Sequence, residues 1–194
     1  AHDCKSGTCA TCRVRLVSGE VAYLEEPMGL LPEEAGAGFA LACQARARTD
    51  LVIEAEVRPA LAQPPARRAA VVSGIEPLAD DVTRLTLELP DLDRFDFLPG
   101  QHIQVLMGDG RPRSFSMASA PTGNRFDLHI RRIPGGAFTD VQLPSLAEGD
   151  TLDVELPLGS FFLRKDDFRP LLMVATGTGL APIKSVLESL MEDP

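Results

Sequence analysis

The sequence contains no tryptophan, a single tyrosine and no long run of hydrophobic residues. Its longest apolar stretches, such as Pro170–Ala175, fall far short of the roughly 20 residues that a membrane-spanning helix needs. The first residues also lack the succession of basic, apolar and small residues that marks a secretory signal. The sequence therefore predicts neither a membrane span nor export.

Basic residues are scarce as well, with 19 Lys and Arg against 28 Asp and Glu and a net charge of −9. No basic stripe and no patch of alternating basic and aromatic residues runs through the chain. Because nucleic-acid binding depends on neutralising phosphates, this balance argues against a nucleic-acid partner. An acidic surface more often meets basic protein partners.

The remaining composition, 44% hydrophobic and 24% charged, is that of an ordinary soluble globular protein. The 16 glycines and 16 prolines predict many turns between short strands. All four cysteines lie within the first 43 residues. A cytoplasmic chain keeps its thiols reduced and clusters them for metal or redox chemistry, whereas an extracellular disulfide scaffold spreads them throughout. We therefore expect a cytoplasmic protein with a metal or cluster site.

Residues 1–57 hold the cysteines and several β-prone runs. Arg13–Val17 and Glu20–Tyr23 predict a hairpin around a turn at Ser18 and Gly19, and Asp50–Val57 predicts a further strand. Residues 58–68 are too rich in proline for a helix interior or a central strand, so we interpret them as a linker.

Residues 69–168 carry short alternating segments separated by glycine and proline turns. Six such segments predict a closed or nearly closed antiparallel barrel. The predicted strands are Ala69–Ile75, Val82–Leu89, His102–Met107, Arg113–Ala118, Arg125–Ile133 and Thr151–Leu156.

Residues 169–194 change character. Pro170–Ala175 is continuously apolar, a glycine-rich segment follows, and apolar residues recur at helical spacing from Leu180 to Met191, which predicts strand, loop and helix. A strand that is apolar on both faces belongs inside a parallel sheet, so we expect this chain to be an internal fragment that stops inside a further domain. The alternative is that the end pieces dock on the barrel as appendages.

The cysteine spacing Cys4-x4-Cys9-x2-Cys12, with Cys43 far downstream, is the plant-type spacing of a 2Fe-2S cluster. Small or polar residues between the first three allow the backbone to fold around a cluster and aim N–H groups at its sulfurs. Structural zinc and incidental free thiols are the alternatives, although four-cysteine zinc sites usually pair two C-x2-4-C knuckles. The segment resembles the ferredoxin module, which implies a partial β-grasp domain with these four thiols as cluster ligands. In that family a hairpin and a helix precede the first ligand, so we expect this copy to be incomplete.

Arg113-Ser-Phe-Ser116 places a cation, an aromatic ring and hydroxyls on one predicted strand. A flavin nucleotide needs a cation for phosphate, an aromatic wall for its ring and a hydrogen-bond donor near N5. An edge strand with a solvated arginine and turn-forming serines fits these residues alone equally well. The motif is similar to the Arg-x-Tyr/Phe-Ser/Thr signature of the ferredoxin-NADP reductase superfamily. Leu128–Ile133 and Gly135–Thr139 match its next flavin-contacting strand and phosphate-binding turn.

The resemblance implies a role for each matched residue. Arg113 would bind the diphosphate, Phe115 would lie against the flavin, and Ser116 would donate a hydrogen bond near N5 as the catalytic residue. A packed or solvent-facing side chain is the other interpretation of His129. The further cofactor-binding residues implied are Ser114, His129, Ile130, Arg131, Gly136, Ala137, Phe138 and Thr139.

The glycine-rich segment Thr176, Gly177, Thr178 and Gly179 lies between the predicted strand and helix. Glycines there permit close approach of a phosphate, and a helix N-terminus favours anions. The segment resembles the opening of the superfamily's NAD(P)H-binding domain, which implies that these four residues contact the dinucleotide.

Together, the resemblances imply a fold that is mainly β with an α/β end. Its parts would be the partial β-grasp 2Fe-2S ferredoxin, a six-stranded antiparallel FAD-binding barrel, and the first β-α unit of a Rossmann-like NAD(P)-binding domain. The implied function is an electron-transfer reductase that passes electrons from NAD(P)H through FAD to the 2Fe-2S cluster and on to a partner oxygenase or dehydrase component. The opposing hypothesis is a non-enzymatic, zinc-stabilised β-barrel binding module.

Overall fold

The computed structural model describes residues 4–55, 64–163 and 170–192. The chain divides into two compact units, Ala1–Ala60 and Leu61–Pro194. Among the described residues no helix is both long enough and apolar enough to cross a membrane.

The main sheet of the first unit is built around strand β1 (Arg13–Ser18). One edge of β1 pairs antiparallel with β3 (Phe39–Leu41), and the other pairs antiparallel with β5 (Val52–Glu54). The short helix α1 (Pro32–Gly36) leads into β3. The strand predicted over Asp50–Val57 is therefore confirmed only in its centre, and its last two residues lie outside the described part of the chain.

The short strand β2 (Val21–Ala22) does not pair with β1 but with β4 (Arg46–Ala47). The hairpin that we predicted from Arg13–Val17 and Glu20–Tyr23 is therefore wrong. Both edges of β1 are already taken by β3 and β5, so the chain that leaves the turn at Gly19 must find another partner.

The second unit is a six-stranded antiparallel barrel, and all six predicted strands are confirmed. In chain order the strands are β6 (Ala66–Ala79), β7 (Val82–Glu88), β8 (His102–Val105), β9 (Arg113–Ser116), β10 (Arg125–Arg131) and β11 (Thr151–Leu158). Neighbouring strands follow the order β10, β7, β6, β11, β8, β9. The two end strands meet where Met117 bridges Leu128 and the Ala118 N–H donates to the Asp127 carbonyl over 2.7 Å.

The longest strand, β6, forms a corner of the barrel. Its first half pairs with β11 and its second half with β7, and the register shifts between Val72 and Gly74, where the strand changes partner. Such a bulge bends and twists a strand. β6 begins at Ala66, inside the segment predicted as a linker, of which residues 58–63 lie outside the described part of the chain.

Alternation along the strands separates the barrel core from its outer face. On β10, Phe126, Leu128 and Ile130 are buried, whereas the intervening Asp127 and His129 are half-buried on the other side. This is the inward and outward alternation expected of a strand. The mainly β class is therefore confirmed.

Helix α2 (Leu180–Glu192) follows a tight turn at Gly177–Gly179, as predicted. The strand predicted for Pro170–Ala175 is not formed, and Leu172 and Val174 are 90% and 78% exposed. A strand needs a neighbour for its backbone hydrogen bonds, and residues 170–176 have none within the described ranges. Of the predicted β-α unit, the structure shows the helix.

Candidate cofactor sites

The loop that carries three of the four cysteines is tightly curled. Lys5, Gly7 and Ala10 have positive φ angles of 54°, 76° and 55°. Left-handed residues at such short spacing make a concave loop whose N–H groups can point towards an anion at its centre. The Ser6 N–H accordingly donates to the Cys4 Sγ over 3.4 Å.

Hydrogen bonds within the loop favour the thiolate form of Cys4. Burial acts to raise the pKa of this thiol. The side chains of Ser6 and Thr8 and the backbone of Ser6 and Cys9 outweigh that effect and lower the pKa to about 5. A thiolate is the form that ligates metal.

The distant Cys43 is brought to the same loop. Its N–H donates to the Sγ of buried Cys12 over 3.4 Å, and the side-chain amide of Gln44 donates to the Lys5 carbonyl over 2.6 Å. Burial raises the pKa of Cys43, and the thiols of Cys12 and Cys4 raise it further. Assembling these sulfurs as anions therefore needs a positive charge to offset their repulsion.

A second segment supports the loop from outside. The Gly29 N–H donates to the Gly7 carbonyl over 2.8 Å, and a Cβ built on Gly29 would lie 2.7 Å from the Thr8 oxygen. A Cβ on Gly7 would lie 2.9 Å from the Cβ of Pro27. Both glycines are therefore required for this contact, which sequence reasoning missed because they lie 22 residues apart.

This thiol set fits a two-iron cluster. Within the described ranges, no group of three or more His, Cys, Asp or Glu side chains is arranged to hold a metal ion, so the fit rests on the chemistry of the donors. A 2Fe-2S cluster takes two thiolates at each iron. The Cys9 backbone lies against the Cys4 thiol and the Cys43 N–H donates to the Cys12 Sγ, so the loop places backbone N–H donors against two of the four sulfurs.

Strand β9 carries the predicted flavin motif, and its register with β8 fixes which way each side chain faces. Phe115 lies opposite buried Ile103, so it faces the barrel interior, whereas Ser116 lies opposite His102 on the outer face. The Phe115 ring packs on that of Phe138, with centroids 5.1 Å apart. The fold thus brings the predicted flavin strand and the predicted phosphate turn together.

The guanidinium of Arg113 is held at the start of β9. It donates to the Asp109 carboxylate over 3.3 Å and to the Arg111 carbonyl over 2.5 Å. The backbone N–H of Arg111, followed by the Arg113 side chain, lowers the pKa of Asp109. Sequence reasoning missed Asp109, although its Gly-Asp-Gly turn directly precedes the motif.

In the turn before residues 137–142, two of the predicted phosphate-binding residues, Gly136 and Thr139, already make hydrogen bonds within the turn. Gly136 donates its N–H to the Ile133 carbonyl over 2.8 Å, and the Thr139 hydroxyl accepts the Ile133 N–H over 3.1 Å. The N–H groups of Ala137, Phe138 and Thr139 precede the first N–H that donates within the helix, that of Asp140 to the Gly136 carbonyl, and are the donors left for a phosphate.

An acidic side chain stands at the same turn. Asp140 accepts the Gly135 N–H over 2.8 Å and pairs with Arg132, and these two contacts lower its pKa. A phosphate bound at this turn would therefore lie near a carboxylate whose charge Arg132 offsets.

The three predicted residues of β10 have different surroundings. The Ile130 side chain is 1% exposed in the barrel core, so only its main chain is available to a ligand. Arg131 pairs with Asp81 over 2.8 Å. Burial lowers the pKa of His129, and the nearby Lys184 ammonium lowers it further, which places this imidazole beside α2.

Helix α2 is fixed to the chain that follows Ser116. Lys184 donates to the Ala118 carbonyl over 2.9 Å, and buried Ser185 donates to the Ser119 carbonyl over 2.7 Å. Glu188 accepts the Ala120 N–H over 3.2 Å. Sequence reasoning did not single out Lys184, Ser185 or Glu188, because polar residues on a helix are usually solvated.

The glycine segment itself is open to solvent. Its turn closes through the Gly179 N–H, which donates to the Thr176 carbonyl over 3.0 Å, and Gly177 has a φ of 53°. Thr176, Gly177 and Gly179 are exposed and Thr178 is half-buried, directly before α2.

Taken together, the barrel residues fit a flavin nucleotide. On one face of β9, Arg113 supplies a cation and the Phe115 and Phe138 pair supplies an aromatic wall. Ser116 supplies a hydroxyl on the other face of the strand, and the turn at 137–139 supplies N–H donors. These are the groups that a diphosphate and an isoalloxazine ring require.

Two family models match the chain, in agreement with these two sites. Residues 69–163 match the oxidoreductase FAD-binding domain, and residues 1–48 match the 2Fe-2S iron-sulfur cluster binding domain.

Several full-length relatives align along nearly the whole chain. The CDP-6-deoxy-L-threo-D-glycero-4-hexulose-3-dehydrase reductase of Yersinia pestis is 34% identical over 98% of this chain and 57% of its own length. Reductase component 2 of the terephthalate 1,2-dioxygenase of a Comamonas species is 40% identical over 97% of this chain and 56% of its own length. The chain thus spans a little over half the length of these curated relatives.

Solved structures agree with this relationship. The crystal structure of an Amycolatopsis cytochrome P450 reductase is 34% identical, with a TM-score of 0.74 over 100% of this chain and 60% of that chain. A ferredoxin reductase of carbazole 1,9a-dioxygenase is 28% identical, with a TM-score of 0.68 over 99% of this chain and 62% of that chain.

Proposed function

We propose, for a chain that belongs to the ferredoxin reductases in which a 2Fe-2S domain precedes an FAD-binding domain, that its function is electron transfer. Electrons would pass from NAD(P)H through FAD to the 2Fe-2S cluster and on to a partner protein. That partner would be an oxygenase or a dehydrase component, because the relatives are named as reductases of such systems.

The observation that carries this proposal is the presence of two different cofactor sites in one chain. The thiol loop offers four sulfurs with N–H donors, and the barrel offers a cation, an aromatic wall and a hydroxyl along one strand. A bound flavin accepts two electrons together and gives them up singly, and a plant-type cluster carries one at a time. A chain with both sites is therefore suited to accepting electrons in pairs and passing them on one at a time.

Each part of the site has a defined task in this proposal. Arg113 binds and orients the flavin diphosphate, Phe115 covers the ring and excludes water, and Ser116 holds a hydrogen bond to its reacting edge. The main-chain N–H groups of residues 137–139 bind phosphate oxygens at the start of the turn. Thr176–Gly179 binds the phosphates of the nicotinamide dinucleotide. Helix α2, which follows this segment directly, is held against the barrel by the hydrogen bond from Ser185 to the Ser119 carbonyl.

The place of action in this proposal is the cytoplasm, where thiols stay reduced until a cluster is built. The domain boundaries at residues 57, 68 and 168 remain predictions. Residues 56–63 and 164–169, which contain the boundaries at residues 57 and 168, are outside the described part of the chain.

Two matched variants test the proposal by emptying one site at a time. Arg113→Ala should lower FAD content and leave iron and sulfide unchanged. Cys9→Ser should abolish the cluster and leave FAD unchanged. In the wild-type chain, light-driven reduction of bound FAD should be followed by the electron paramagnetic resonance signal of a reduced cluster. A cluster that stays oxidised while the flavin is reduced would contradict electron transfer between them.

A further inference from the structure

The side chain of Gln44 connects the residue after the fourth cysteine to the loop that carries the other three. Its amide nitrogen donates to the Lys5 carbonyl over 2.6 Å. Its stem lies against Gly7, because a Cβ built on that glycine would be 3.1 Å from the Gln44 Cγ. The Gly7 backbone in turn donates a hydrogen bond to the Cys43 thiol. Residues 43 and 44 therefore contact the thiol loop at both Lys5 and Gly7.

The main chain of Gln44 is fixed by the sheet of the first unit. The N–H groups of Gln44 and Ala45 donate to the Leu41 carbonyl over 3.1 Å and 3.0 Å. Leu41 ends β3, lies opposite Arg13 of β1 and is 0% exposed. The position from which the Gln44 side chain reaches the loop is therefore set by the sheet and not by the loop itself.

The contact with Lys5 orients the peptide group between Lys5 and Ser6. This peptide is trans, so its carbonyl and its N–H point in opposite directions. The carbonyl accepts the Gln44 amide, and the N–H, which belongs to Ser6, donates to the Cys4 Sγ over 3.4 Å. Rotating this peptide group would turn both ends away from their partners. The Gln44 amide and the Cys4 sulfur are thus connected through a single peptide plane.

The conformation of Lys5 makes this support necessary. Its φ of 54° lies in the left-handed region, which residues other than glycine, asparagine and aspartate seldom adopt. Such a residue keeps that conformation only where its surroundings determine it. Lys5 and Gln44 are both exposed, so water competes for this hydrogen bond. The bond therefore contributes the orientation of the peptide more than the stability of the fold.

We propose that Gln44 is a positioning residue that aims the Ser6 N–H at the sulfur of Cys4 and thereby sets how readily a cluster in this loop is reduced. This inference rests on the proposed function, in which the loop holds the 2Fe-2S cluster and the flavin supplies the electron. Reduction adds one negative charge to a cluster, and N–H groups directed at its sulfurs stabilise that charge. Gln44 itself exchanges neither a proton nor an electron.

The test is a redox titration of the cluster in the fully loaded chain, followed by the visible circular dichroism of the cluster. Gln44→Met keeps an unbranched stem against Gly7 but cannot donate to the Lys5 carbonyl. This variant should shift the reduction equilibrium towards the oxidised cluster by about twofold to tenfold, the range that the net free energy of one hydrogen bond gives. Gln142→Met is the matched control, because it makes the same replacement in the second unit, and it should titrate as the wild type does.

A second readout detects the N–H groups directly and does not depend on turnover. Electron spin echo modulation of the reduced cluster reports the backbone nitrogens that lie beside its sulfurs. The nitrogen coupling should weaken in Gln44→Met and persist in Gln142→Met. A wild-type potential in Gln44→Met, or a shifted potential with unchanged nitrogen couplings, would overturn the inference. Loss of the cluster from Gln44→Met would also overturn it, because Gln44 would then be needed for assembly and not for the direction of one N–H.

The same samples separate the inference from the proposed function. If the wild-type chain binds no 2Fe-2S cluster, the proposed function fails and the inference fails with it. If the wild-type chain binds the cluster and FAD, and reduced flavin reduces the cluster, a negative result for Gln44→Met removes the inference alone.

Discussion

Replacing Gly29 by alanine tests whether the thiol loop depends on the segment that lies against it. A Cβ at this position would lie 2.7 Å from the Thr8 carbonyl oxygen and 2.9 Å from the Gly7 oxygen. Both contacts are with backbone, so no side-chain rotation relieves them. The loop and the segment must therefore move apart, which also weakens the 2.8 Å hydrogen bond from the Gly29 N–H to Gly7.

The expected magnitude follows from three contributions. Overpacking of this kind costs about 1–3 kcal/mol. Weakening the hydrogen bond costs up to about 1 kcal/mol. Replacing glycine by alanine also reduces the entropy of the unfolded chain, which returns about 0.4–1 kcal/mol. The net loss in free energy of unfolding should be about 1–3 kcal/mol.

The assay is urea unfolding of the cluster-loaded chain, followed by the visible circular dichroism of the cluster. Gly36→Ala is the matched control, because no atom lies within 4 Å of a Cβ built there. That variant should unfold at the wild-type midpoint or slightly above it. Equal midpoints for Gly29→Ala and Gly36→Ala would contradict a clash between a Cβ at Gly29 and the thiol loop.

Three further predictions concern the barrel. Phe138→Ala should destabilise the barrel by about 3–5 kcal/mol in thermal unfolding, because the Phe138 ring is 1% exposed and packs on Phe115. The control Val141→Ala, at an exposed position, should change stability by less than about 0.5 kcal/mol. Equal losses of stability in the two variants would contradict the packing of Phe138. Ser185→Ala should cost about 1–3 kcal/mol, because it removes the hydrogen bond that the fully buried Ser185 hydroxyl donates to the Ser119 carbonyl, and Ser185→Thr should recover part of that loss. Burial and then Lys184 lower the pKa of His129 below its ordinary 6.5, so the folded barrel binds fewer protons than the unfolded chain and loses stability as the pH falls through that value. His129→Gln should flatten this loss in unfolding midpoints measured across that range, and an unchanged slope would contradict it.

The elements that local pattern determines were predictable, and the pairings that distant segments determine were not. Alternation and turn glycines located all six barrel strands, with ends that differ by up to a few residues. The partners of β1 were predicted wrongly, because β5 comes from more than 30 residues downstream and nothing local reveals that it occupies the edge. The apolar run at 170–175 indicated a strand, but a strand exists only where a neighbour accepts its hydrogen bonds.

The candidate sites show the same division. The cysteine spacing and the motif on β9 could be found from residue types alone, because each type answers a chemical need of the cofactor. The contacts that support these two sites could not be predicted from residue types. Asp109 beside Arg113, His102 opposite Ser116 and Gly29 against Gly7 all depend on register or on packing between separate segments.

The most direct test of the central claim is the cofactor content of the anaerobically purified chain. The visible absorption spectrum is recorded, and iron, sulfide, zinc and extractable flavin are quantified on the same sample. We expect FAD together with about two irons and two sulfides per chain. Zinc without flavin would contradict it and would leave a metal-stabilised binding module in its place.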